Sequence, residues 1–310
     1  MENRQYIFVK PGNISKRIIS ILESNLGFDY YCYDGKASNP KELLKVFASN
    51  DIIFVFESII SQMETQQLVK ETKEFFKAYR IKFVQASTLF EDFSKRVPLL
   101  YNNGVWMSPL DISNIKPSIL TLASKRIFDL VFLLIFSIPA FVLVIIGSIL
   151  IKLTSKGPVF FKQVRVGKDC KPFTIFKLRT MNNDSLEVKS HTTENDERIF
   201  PVGKVLRKLK IDELPQLYNI LKNEMSFIGP RPEREDLVSE FQQQCPHYQY
   251  RSVIKPGISG WAQVNNPKAT PEESMEKLEY DLYYIKKLSL WFDLEICLKT
   301  FVVIFRRDSL

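Results

Sequence analysis

Apolar and polar positions along the first hundred residues predict short strands separated by helices. Apolar runs of strand length occur at Tyr6–Val9, Phe28–Tyr33, Ile52–Phe56 and Ile81–Gln85. Amphipathic segments of helical length lie between them, near residues 14–24, 40–48 and 62–77. An alternation of this kind is typical of a parallel sheet covered by helices. We therefore predict a small parallel α/β domain over residues 1–96.

The first strand-to-helix turn of this domain, KPGN at residues 10–13, contains a single glycine. Turns that bind dinucleotides carry spaced glycines, which let the backbone approach a pyrophosphate. We therefore expect a Rossmann-like sheet that does not bind a dinucleotide and that serves regulation or homo-oligomerisation. The polar N-terminus leads directly into the first strand, so we expect no signal peptide and a cytosolic domain.

The pattern changes over residues 97–124, where prolines, asparagines and a glycine become frequent. Such residues interrupt regular elements and favour turns. We predict that this segment links the first domain to a second domain over residues 125–310.

The second domain begins with an apolar run from Val131 to Ile151, which contains 21 residues and no charge. At about 1.5 Å per residue, a helix of this length spans a hydrocarbon core of roughly 30 Å. Ser137 and Pro139 lie inside the run, and a proline removes one backbone hydrogen bond and bends a helix. We predict a membrane helix over about residues 127–151.

Both flanks of this run are basic, with Lys125 and Arg126 before it and Lys152 and Lys156 after it. Basic flanks favour the cytoplasmic side of a membrane. The pattern therefore favours a re-entrant helix that bends and leaves by the face through which it entered. Hydropathy alone favours the alternative, a single-pass span.

The rest of the chain predicts an α-rich α+β domain associated with the membrane. Short strands are expected near residues 159–161 and 173–176. Helices are expected near residues 214–221, 233–244 and 271–287. A last amphipathic stretch over residues 290–307 suits either an interfacial helix or packing against its own domain.

The net charge of the chain and its distribution limit the classes of molecule that the protein is expected to bind. The formal net charge is +8, and residues 152–210 hold 14 basic and 6 acidic side chains. A basic field attracts nucleic acid, anionic lipid or phosphorylated substrates. The neighbouring apolar run favours membrane lipid and phosphate, and we expect no nucleic-acid partner because no nucleic-acid-binding module is recognisable. Four scattered cysteines, and two histidines without ligand spacing, indicate reduced thiols and no structural zinc.

The segment Lys210–Leu217, KIDELPQL, places two adjacent carboxylates, Asp212 and Glu213, in this basic region. The proline at position 215 belongs in the first turn of a helix, so the common interpretation is that Asp212 caps that helix. The alternative is chemical. A helix N-terminus and nearby cations would keep Asp212 ionised as a nucleophile toward phosphorus, while Glu213 would hold a divalent metal such as Mg²⁺.

Basic side chains are candidates for binding the phosphates of a substrate. Arg231 lies between two prolines in FIGPRP, residues 227–232, which fix the backbone and pre-set the guanidinium as a bidentate clamp. A structural turn with a solvated arginine is the alternative. Further candidates for phosphate contact are Lys177, Arg179, Arg207, Arg251 and Lys255.

Together these segments resemble the bacterial sugar transferases, also called monotopic phosphoglycosyl transferases. The resemblance runs from about residue 125 to the C-terminus and rests on KRIFDL, GPVFFKQVRVG, KPFTIFKLRTM, RIFPVGKVLRKLKIDELPQLYNIL, MSFIGPRPE, KPGISGWAQVN and SLWFDL. The chain departs from the family pattern at residues 137–139, where the break in the membrane helix lies about one turn early. It departs again at Asn223 and Glu224, where Gly-Asp is usual.

The resemblance implies an enzyme at the cytoplasmic face of the bacterial inner membrane that initiates exopolysaccharide, capsule, O-antigen or related glycan assembly. It implies ping-pong transfer of a sugar 1-phosphate from a UDP-sugar to undecaprenyl phosphate, with release of UMP and a requirement for Mg²⁺. Asp212 would carry the covalent phosphosugar intermediate, and Glu213 would be its metal-binding partner. Basic positions near the phosphates would be Arg231, Arg207, Lys177 and Arg251. An inactive membrane scaffold or regulator of a polysaccharide assembly complex is the alternative.

Overall fold

The computed structural model describes residues 4–24, 29–33, 51–57, 62–63, 66, 70, 79–102, 104–108, 116–182, 196–267 and 273–305. The chain divides into two units, residues 1–111 and 112–310. The division lies inside the segment 97–124 that the sequence predicts as a linker. The helix predicted near residues 40–48 lies outside the described residues, as does most of the helix predicted near residues 62–77.

The first unit contains a four-stranded parallel sheet. Its strands are β1 (Arg4–Val9), β2 (Asp29–Tyr33), β3 (Asp51–Phe56) and β4 (Arg80–Gln85). They lie in the order β2-β1-β3-β4, and each neighbouring pair is parallel. The apolar runs of β1 and β3 are buried on both faces, as a central parallel strand requires. The predicted parallel sheet is confirmed.

Two helices of this unit cover one face of the sheet. Helix α1 (Asn13–Ser24) and helix α2 (Ala86–Ser94) share a buried cluster that includes Ile18 and Phe90. The sequence pattern did not predict α2. A short antiparallel hairpin of β5 (Leu100–Asn102) and β6 (Val105–Met107) follows it, inside the predicted linker.

The N-terminus of α1 is occupied by a carboxylate of the chain itself. Glu57, directly after β3, accepts a hydrogen bond from the backbone N–H of Ser15 at 2.6 Å. In dinucleotide-binding folds a phosphate of the ligand lies at this helix N-terminus. Glu57 therefore supplies the negative charge that such a ligand would otherwise bring.

The second unit begins with the long apolar helix α3 (Ile119–Thr154), which contains 36 residues. Ser118 caps it by accepting a hydrogen bond from the N–H of Thr121 at 3.1 Å. The helix is longer than the predicted 127–151 and continues through Pro139. Within the described part of the chain it is the one helix that is long and apolar enough to cross a membrane.

Both ends of α3 contact the rest of the second unit. Near its start, Arg126 donates a hydrogen bond to the carbonyl oxygen of Ile220 at 2.7 Å. Near its end, Ile151 is fully buried in a cluster with Leu178. The residues between these ends are mostly exposed, including Leu134 and Ile138. The exposed apolar stretch is thus held at both ends by the same folded unit.

The remainder of the second unit is mostly helical, as predicted. An antiparallel pair, β7 (Phe160–Val166) and β8 (Pro172–Leu178), extends beyond the short strands expected from the sequence. The helices that follow are α4 (Pro201–Lys208), α5 (Leu217–Leu221), α6 (Glu235–Gln244), α7 (Trp261–Asn265), α8 (Ser274–Lys286) and α9 (Leu290–Phe305). The sequence pattern did not predict α4.

Two short parallel strands bring the FIGPRP and KPGISG segments together. They are β9 (Ser226–Ile228) and β10 (Gly257–Ser259). The N–H of Gly229 donates to the carbonyl oxygen of Ser259 at 2.8 Å, just beyond the strands. A Cβ atom on Gly257 would lie 2.1 Å from the nitrogen of Gly229, so only a glycine permits this approach.

Helix α9 packs on one side and exposes apolar side chains on the other. Ile296 is fully buried, and the ring of Phe292 lies 4.8 Å from that of Trp261. Trp291 and Leu298 are exposed. Packing, one of the two expected uses of this helix, is therefore observed, and the interfacial use stays a prediction.

Candidate active site

A left-handed residue sets the direction of the KIDELPQL segment. Lys210 adopts φ 56° and ψ 19° directly after α4, and a 3₁₀ helix, Ile211–Gln216, starts there. A short α-helix, α5, follows in place of the single helix predicted over residues 214–221. Lys210 holds the N-cap position, so the interpretation of Asp212 as the helix cap is wrong. The Asp212 side chain therefore has no capping role in this helix.

The 3₁₀ helix buries both carboxylates of the pair. Asp212 is 8% exposed and Glu213 is 7% exposed. Oδ1 of Asp212 is buried without a hydrogen-bond partner among the described residues. A buried polar atom without a partner costs free energy, on the order of 1–3 kcal/mol. Such an atom in a native fold calls for an explanation, and a catalytic role or a bound ion is one.

Glu213 is held by two cations from other parts of the chain. Nζ of Lys177, on β8, lies 2.7 Å from its Oε1. Nη2 of Arg231, in the Pro-Arg-Pro turn, lies 3.0 Å from the same oxygen. The sequence-predicted cations Lys177 and Arg231 are thus brought to the carboxylate pair, although they are separated from it by 36 and 18 residues.

These cations decide how Glu213 titrates. Burial alone would raise the pKa of Glu213, but the charges of Lys177 and Arg231 outweigh it and hold that pKa well below its usual range. Burial also lowers the pKa of the Lys177 ammonium, and the charge of Glu213 opposes that shift. Glu213 is therefore ionised at neutral pH.

Asp212 titrates in the opposite direction. Burial, and then the negative charge of Glu213, raise the pKa of Asp212 above its ordinary value. The charges of Lys177, Arg207 and Lys210 oppose this shift without cancelling it. The expectation that nearby cations stabilise ionised Asp212 therefore underestimates burial, which only the tertiary structure reveals.

Arg207 is the third predicted cation in this region. It lies in the last turn of α4, and its Nε donates to Oγ1 of Thr180 at 2.8 Å. Burial lowers the pKa of its guanidinium, and the charge of Asp212 opposes that shift most strongly. Arg207 thus places a positive charge near Asp212 and pairs with no carboxylate oxygen in the described hydrogen bonds.

Arg179 and Lys255, also predicted to bind phosphate, have other partners. Arg179 is 1% exposed, and it donates to the carbonyl oxygen of Pro158 at 2.5 Å and to Oγ of Ser155 at 2.9 Å. These bonds close the chain after α3 and leave the guanidinium unavailable to a substrate. Lys255 donates to the side chain of Asn223 and lies outside the carboxylate cluster.

Arg251 is also turned away from solvent. It is 7% exposed, and it contacts the side chains of Asp281 and Tyr248 and the backbone of Arg231. Its predicted contact with substrate phosphate does not fit this placement. The structure therefore gathers Asp212, Glu213, Lys177, Arg207 and Arg231, and gives Arg179, Arg251 and Lys255 other contacts.

Two residues near the site, the half-buried Arg165 and the buried Asp281, were missed from the sequence. Arg165, on β7, donates to the carbonyl oxygen of Pro232 at 3.1 Å, and burial lowers its pKa to about 10. Asp281, on α8, is 1% exposed and pairs with Arg251. A signal for Asp281 was present, because the apolar residues Leu278 and Ile285 lie three residues before it and four residues after it, on the same helix face. An acid inside an apolar stripe indicates a buried ion pair.

The carboxylate pair fits a magnesium ion that is shared with a substrate. No cluster of three or more Asp, Glu, His or Cys side chains is found in the described ranges. Mg²⁺, however, is commonly held by one or two carboxylates together with substrate phosphates. Oδ1 of Asp212 has no protein partner and Glu213 is ionised, so the donor chemistry agrees with this mode of binding.

The arrangement suits chemistry at a phosphorus atom. A carboxylate oxygen without a partner lies in a cluster of three cations, which would attract and neutralise a phosphorylated substrate. The exposed apolar helix α3 contacts the same 3₁₀ helix, since Gly147 faces Ile211. The family model described as bacterial sugar transferase matches residues 120–307, more than half of the chain. This protein belongs to the bacterial sugar transferase family.

Two curated proteins similar to this chain are named as undecaprenyl-phosphate sugar phosphate transferases. A UDP-N-acetylgalactosamine-undecaprenyl-phosphate N-acetylgalactosaminephosphotransferase from Aeromonas hydrophila is 45% identical over 192 residues, which cover 61% of this chain and 45% of the relative. A UDP-glucose:undecaprenyl-phosphate glucose-1-phosphate transferase from Klebsiella pneumoniae is 39% identical over 210 residues, 64% of this chain and 43% of the relative. This chain thus spans less than half the length of these two relatives.

A shorter relative is covered almost completely. The exopolysaccharide production protein PSS from Rhizobium leguminosarum bv. phaseoli is 35% identical over 189 residues, 58% of this chain and 94% of the relative. The family match, over residues 120–307, lies within the second unit of the structure. The sugar transferase module is therefore the unit that carries α3 and the carboxylate pair.

Proposed function

We propose that this bacterial sugar transferase transfers a sugar 1-phosphate from a UDP-sugar to undecaprenyl phosphate, with release of UMP. The observation that carries the proposal is the carboxylate pair, in which Glu213 is clamped by cations while Oδ1 of Asp212 is unpartnered. Substrates of this class are named for two relatives. Because those relatives differ in their sugars, the proposal commits to a UDP-sugar and leaves the sugar to experiment.

Asp212 is the proposed nucleophile of a two-step reaction. In the first step a carboxylate oxygen of Asp212 attacks the β-phosphorus of the UDP-sugar, and the bond to UMP breaks with its electron pair leaving on UMP. In the second step a phosphate oxygen of undecaprenyl phosphate attacks the same phosphorus, and the bond to Asp212 breaks. The carboxylate of Asp212 is regenerated, so the same side chain is the attacking group in the first step and the leaving group in the second.

Glu213 is a poor candidate for the attacking group. Its Oε1 accepts from both Lys177 and Arg231, so its electron density is directed at two cations. Asp212 has an oxygen without such a partner, and its raised pKa makes it the more basic carboxylate of the two. A more basic carboxylate is the better nucleophile once it is ionised.

The cations have separate proposed roles. Arg231 is partly exposed, with 45% of its side chain accessible, so it can contact substrate phosphate while one nitrogen remains on Glu213. Arg207 places its charge near Asp212 and would stabilise phosphate oxygens during attack. Lys177 is less exposed and holds Glu213 in place.

Asp212 and Glu213 would together hold Mg²⁺ alongside the substrate. When bound, the ion supplies charge neutralisation for the phosphate oxygens. Glu213 is already ionised by its cation partners, and Asp212 would lose its proton more readily beside a bound cation. The pair would thus be readied for substrate and metal together.

The proposed location is the cytoplasmic face of the bacterial inner membrane, with α3 re-entrant. Both ends of α3 contact the second unit, through Arg126 at one end and Ile151 at the other. If α3 crossed the membrane, its two ends would lie on opposite sides, and only one of them could contact the second unit. Contacts at both ends therefore support a helix that dips into the membrane and returns, and Pro139 offers the bend.

The test is UMP release by the purified full chain in lipid nanodiscs with undecaprenyl phosphate. UDP-glucose and UDP-N-acetylgalactosamine head a panel of UDP-sugar donors. We expect one or more donors to give UMP, Asp212→Ala to abolish release, and Asp169→Asn, at an exposed acid, to leave it unchanged. Absence of UMP with every donor would remove the proposed function, and full activity of Asp212→Ala would remove the nucleophile.

A further inference from the structure

The turn that carries Arg231 is held through its carbonyl groups. Two prolines remove two N–H donors from residues 229–233, so the turn has few donors of its own. The carbonyl oxygen of Pro230 accepts from the N–H of Gly257 at 2.9 Å, and that of Glu233 accepts from the N–H of Val166 at 2.9 Å. Backbone groups thus hold the two ends of the turn.

The two carbonyl groups between these ends accept from arginine side chains. Nη2 of Arg251 donates to the carbonyl oxygen of Arg231 at 3.0 Å. Nη1 of Arg165 donates to that of Pro232 at 3.1 Å. The backbone of Arg231 itself is therefore held by a guanidinium, and Arg251 is the residue that supplies it.

Arg251 is in turn fixed by buried partners. One of its nitrogens lies 2.9 Å from Oδ2 of Asp281, and each side chain of this ion pair is at most 7% exposed. Another nitrogen donates to the hydroxyl of Tyr248, which is also buried. A planar guanidinium with three fixed contacts has little freedom to move.

We propose that Arg251, fixed by Asp281 and Tyr248, is a positioning residue that holds the Arg231 backbone so that the Arg231 guanidinium stays on Glu213. The kinetic part of this inference rests on the proposed sugar-phosphate transfer. It assigns to Arg251 an indirect effect on the reaction, in place of the direct phosphate contact expected from the sequence. Asp281 acts one step further away, through Arg251.

The geometry predicts that substitution of Arg251 lowers the rate of UMP release more than it lowers the stability of the fold. Displacement of a clamp by about 1 Å can cost on the order of 100-fold in rate. Arg251→Lys keeps the charge beside Asp281 but cannot reach Asp281, Tyr248 and the Arg231 carbonyl together. We expect Arg251→Lys to lower kcat for UMP release by roughly 10- to 100-fold.

A double-mutant cycle separates positioning from other roles. If Arg251 acts through Arg231, Arg251→Lys should cause no further loss of rate in an Arg231→Ala background. A direct phosphate contact, or general damage to the fold, would cause the same fold-loss in both backgrounds. Arg179→Lys is the matched control, because Arg179 is an equally buried arginine that contacts Pro158 and Ser155. Its effect should be the same in both backgrounds.

Amide hydrogen exchange provides a readout that does not depend on activity. Peptides covering residues 226–234 and 254–260 contain the bonded amides of Gly229 and Gly257, which report on the turn. Arg251→Lys should speed their exchange by roughly 10-fold, and Arg179→Lys should leave it unchanged. Asp281→Asn is the second variant, with the same expected direction, should Arg251→Lys fail to fold.

The outcomes separate this inference from the proposed function. A wild-type protein that gives no UMP with any donor removes the function, and the exchange measurement still decides the positioning role. Unchanged exchange of the turn in both Arg251→Lys and Asp281→Asn overturns the inference. Equal fold-losses with and without Arg231 also overturn it, whether or not the protein is an active transferase.

Discussion

Asp212 and Glu213 are adjacent residues whose pKa values move in opposite directions. Lys177 and Arg231 both contact the same oxygen of Glu213, which lowers its pKa, whereas burial and Glu213 raise the pKa of Asp212. Two carboxylates at one site take different roles when their surroundings separate their pKa values. The ionised, clamped carboxylate organises the site, and the more basic one is the proposed nucleophile.

The first prediction concerns stability at Asp212. Folding raises its pKa above an unfolded value of about 3.9, so its contribution to stability is largest at low pH and is lost as pH rises through the folded-state pKa. At neutral pH Asp212→Asn should therefore stabilise the protein, by about 0.5–2 kcal/mol, while abolishing activity. Thermal unfolding at pH 8 measures the change, and a lower Tm in the variant would contradict it.

The second prediction is that neutralising Glu213 changes the stability of the protein in the opposite direction. Folding lowers its pKa, so its contribution is present above an unfolded value of about 4.3 and is lost as pH falls through the folded-state pKa. Glu213→Gln should destabilise the protein at pH 8 by about 1–2 kcal/mol, because Lys177 and Arg231 lose their partner and Arg231 is partly solvated. An unchanged or higher Tm in the same unfolding experiment would show that the clamp does not stabilise the fold.

The third prediction is a pH profile. Attack requires ionised Asp212, so kcat/KM for UMP release should rise with pH through a pKa above the ordinary aspartate value of about 3.9. In Glu213→Gln the neighbouring negative charge is absent, so the acid limb of the residual activity should move to lower pH. A limb that stays in place or moves to higher pH in this variant would be inconsistent with titration of Asp212.

At the scale of single residues, the sequence predicted which side chains form the candidate site but not how those side chains titrate. KIDELPQL and the Pro-Arg-Pro turn predicted the carboxylates and Arg231 from local pattern alone, and the structure places the Arg231 guanidinium on Glu213. The pKa of Asp212 depends on burial, and burial depends on packing between segments that are distant in sequence. The burial of Arg251 was beyond sequence pattern for the same reason, since its partner Asp281 lies 30 residues away, beyond β10 and α7.

Among the elements, α3 is anchored by buried charges at its first turns. Lys125 lies 2.8 Å from Oδ2 of Asp293 and donates to the hydroxyl of Tyr284 at 3.0 Å. Asp129, one turn later, accepts from Oγ of Ser226 at 2.8 Å. These contacts join the start of α3 to α8, α9 and β9. They fix where the apolar helix leaves the folded unit, close to the Pro-Arg-Pro turn that follows β9.

The fourth prediction tests this anchor. Asp293→Asn removes the carboxylate that lies 2.8 Å from the buried ammonium of Lys125, and breaking a buried pair in this way costs about 3–5 kcal/mol. Adding Lys125→Met removes the uncompensated charge and should restore part of that stability. Denaturant unfolding of Asp293→Asn, of Lys125→Met and of the double variant measures the coupling. Additive losses would show that the two side chains do not act as a pair.

Helices and strands were predicted correctly where the spacing of apolar residues clearly favoured one kind of element. The uncharged run of 21 residues predicted α3, and the apolar runs of β1 and β3 predicted strands of a parallel sheet. Helix α4 was missed because it is short, with Gly203 inside it and a proline at its first position. Gly203 is required there, since a Cβ atom would lie 2.3 Å from the carbonyl oxygen of Thr180. Such close packing leaves little trace in hydrophobic periodicity.

For the whole molecule, the fifth prediction concerns the path of α3 relative to the membrane. In a chain whose four native cysteines are replaced by serine, cysteines at Lys116 and at Lys156 flank the helix at exposed positions. Both should react with a membrane-impermeant maleimide only after the cells are permeabilised. Reaction of one of them in intact cells would show a helix that spans the membrane, and would overturn the re-entrant path.

The most direct measurement of the central claim is the covalent intermediate on Asp212. The full chain is mixed with its UDP-sugar donor in the absence of undecaprenyl phosphate, and UMP and protein mass are followed together. We predict a burst of at most one UMP per protein, and a peptide containing Asp212 that gains the mass of one sugar phosphate and loses it when undecaprenyl phosphate is added. UMP that forms only after the acceptor is added, with no modified peptide, would contradict a nucleophilic Asp212.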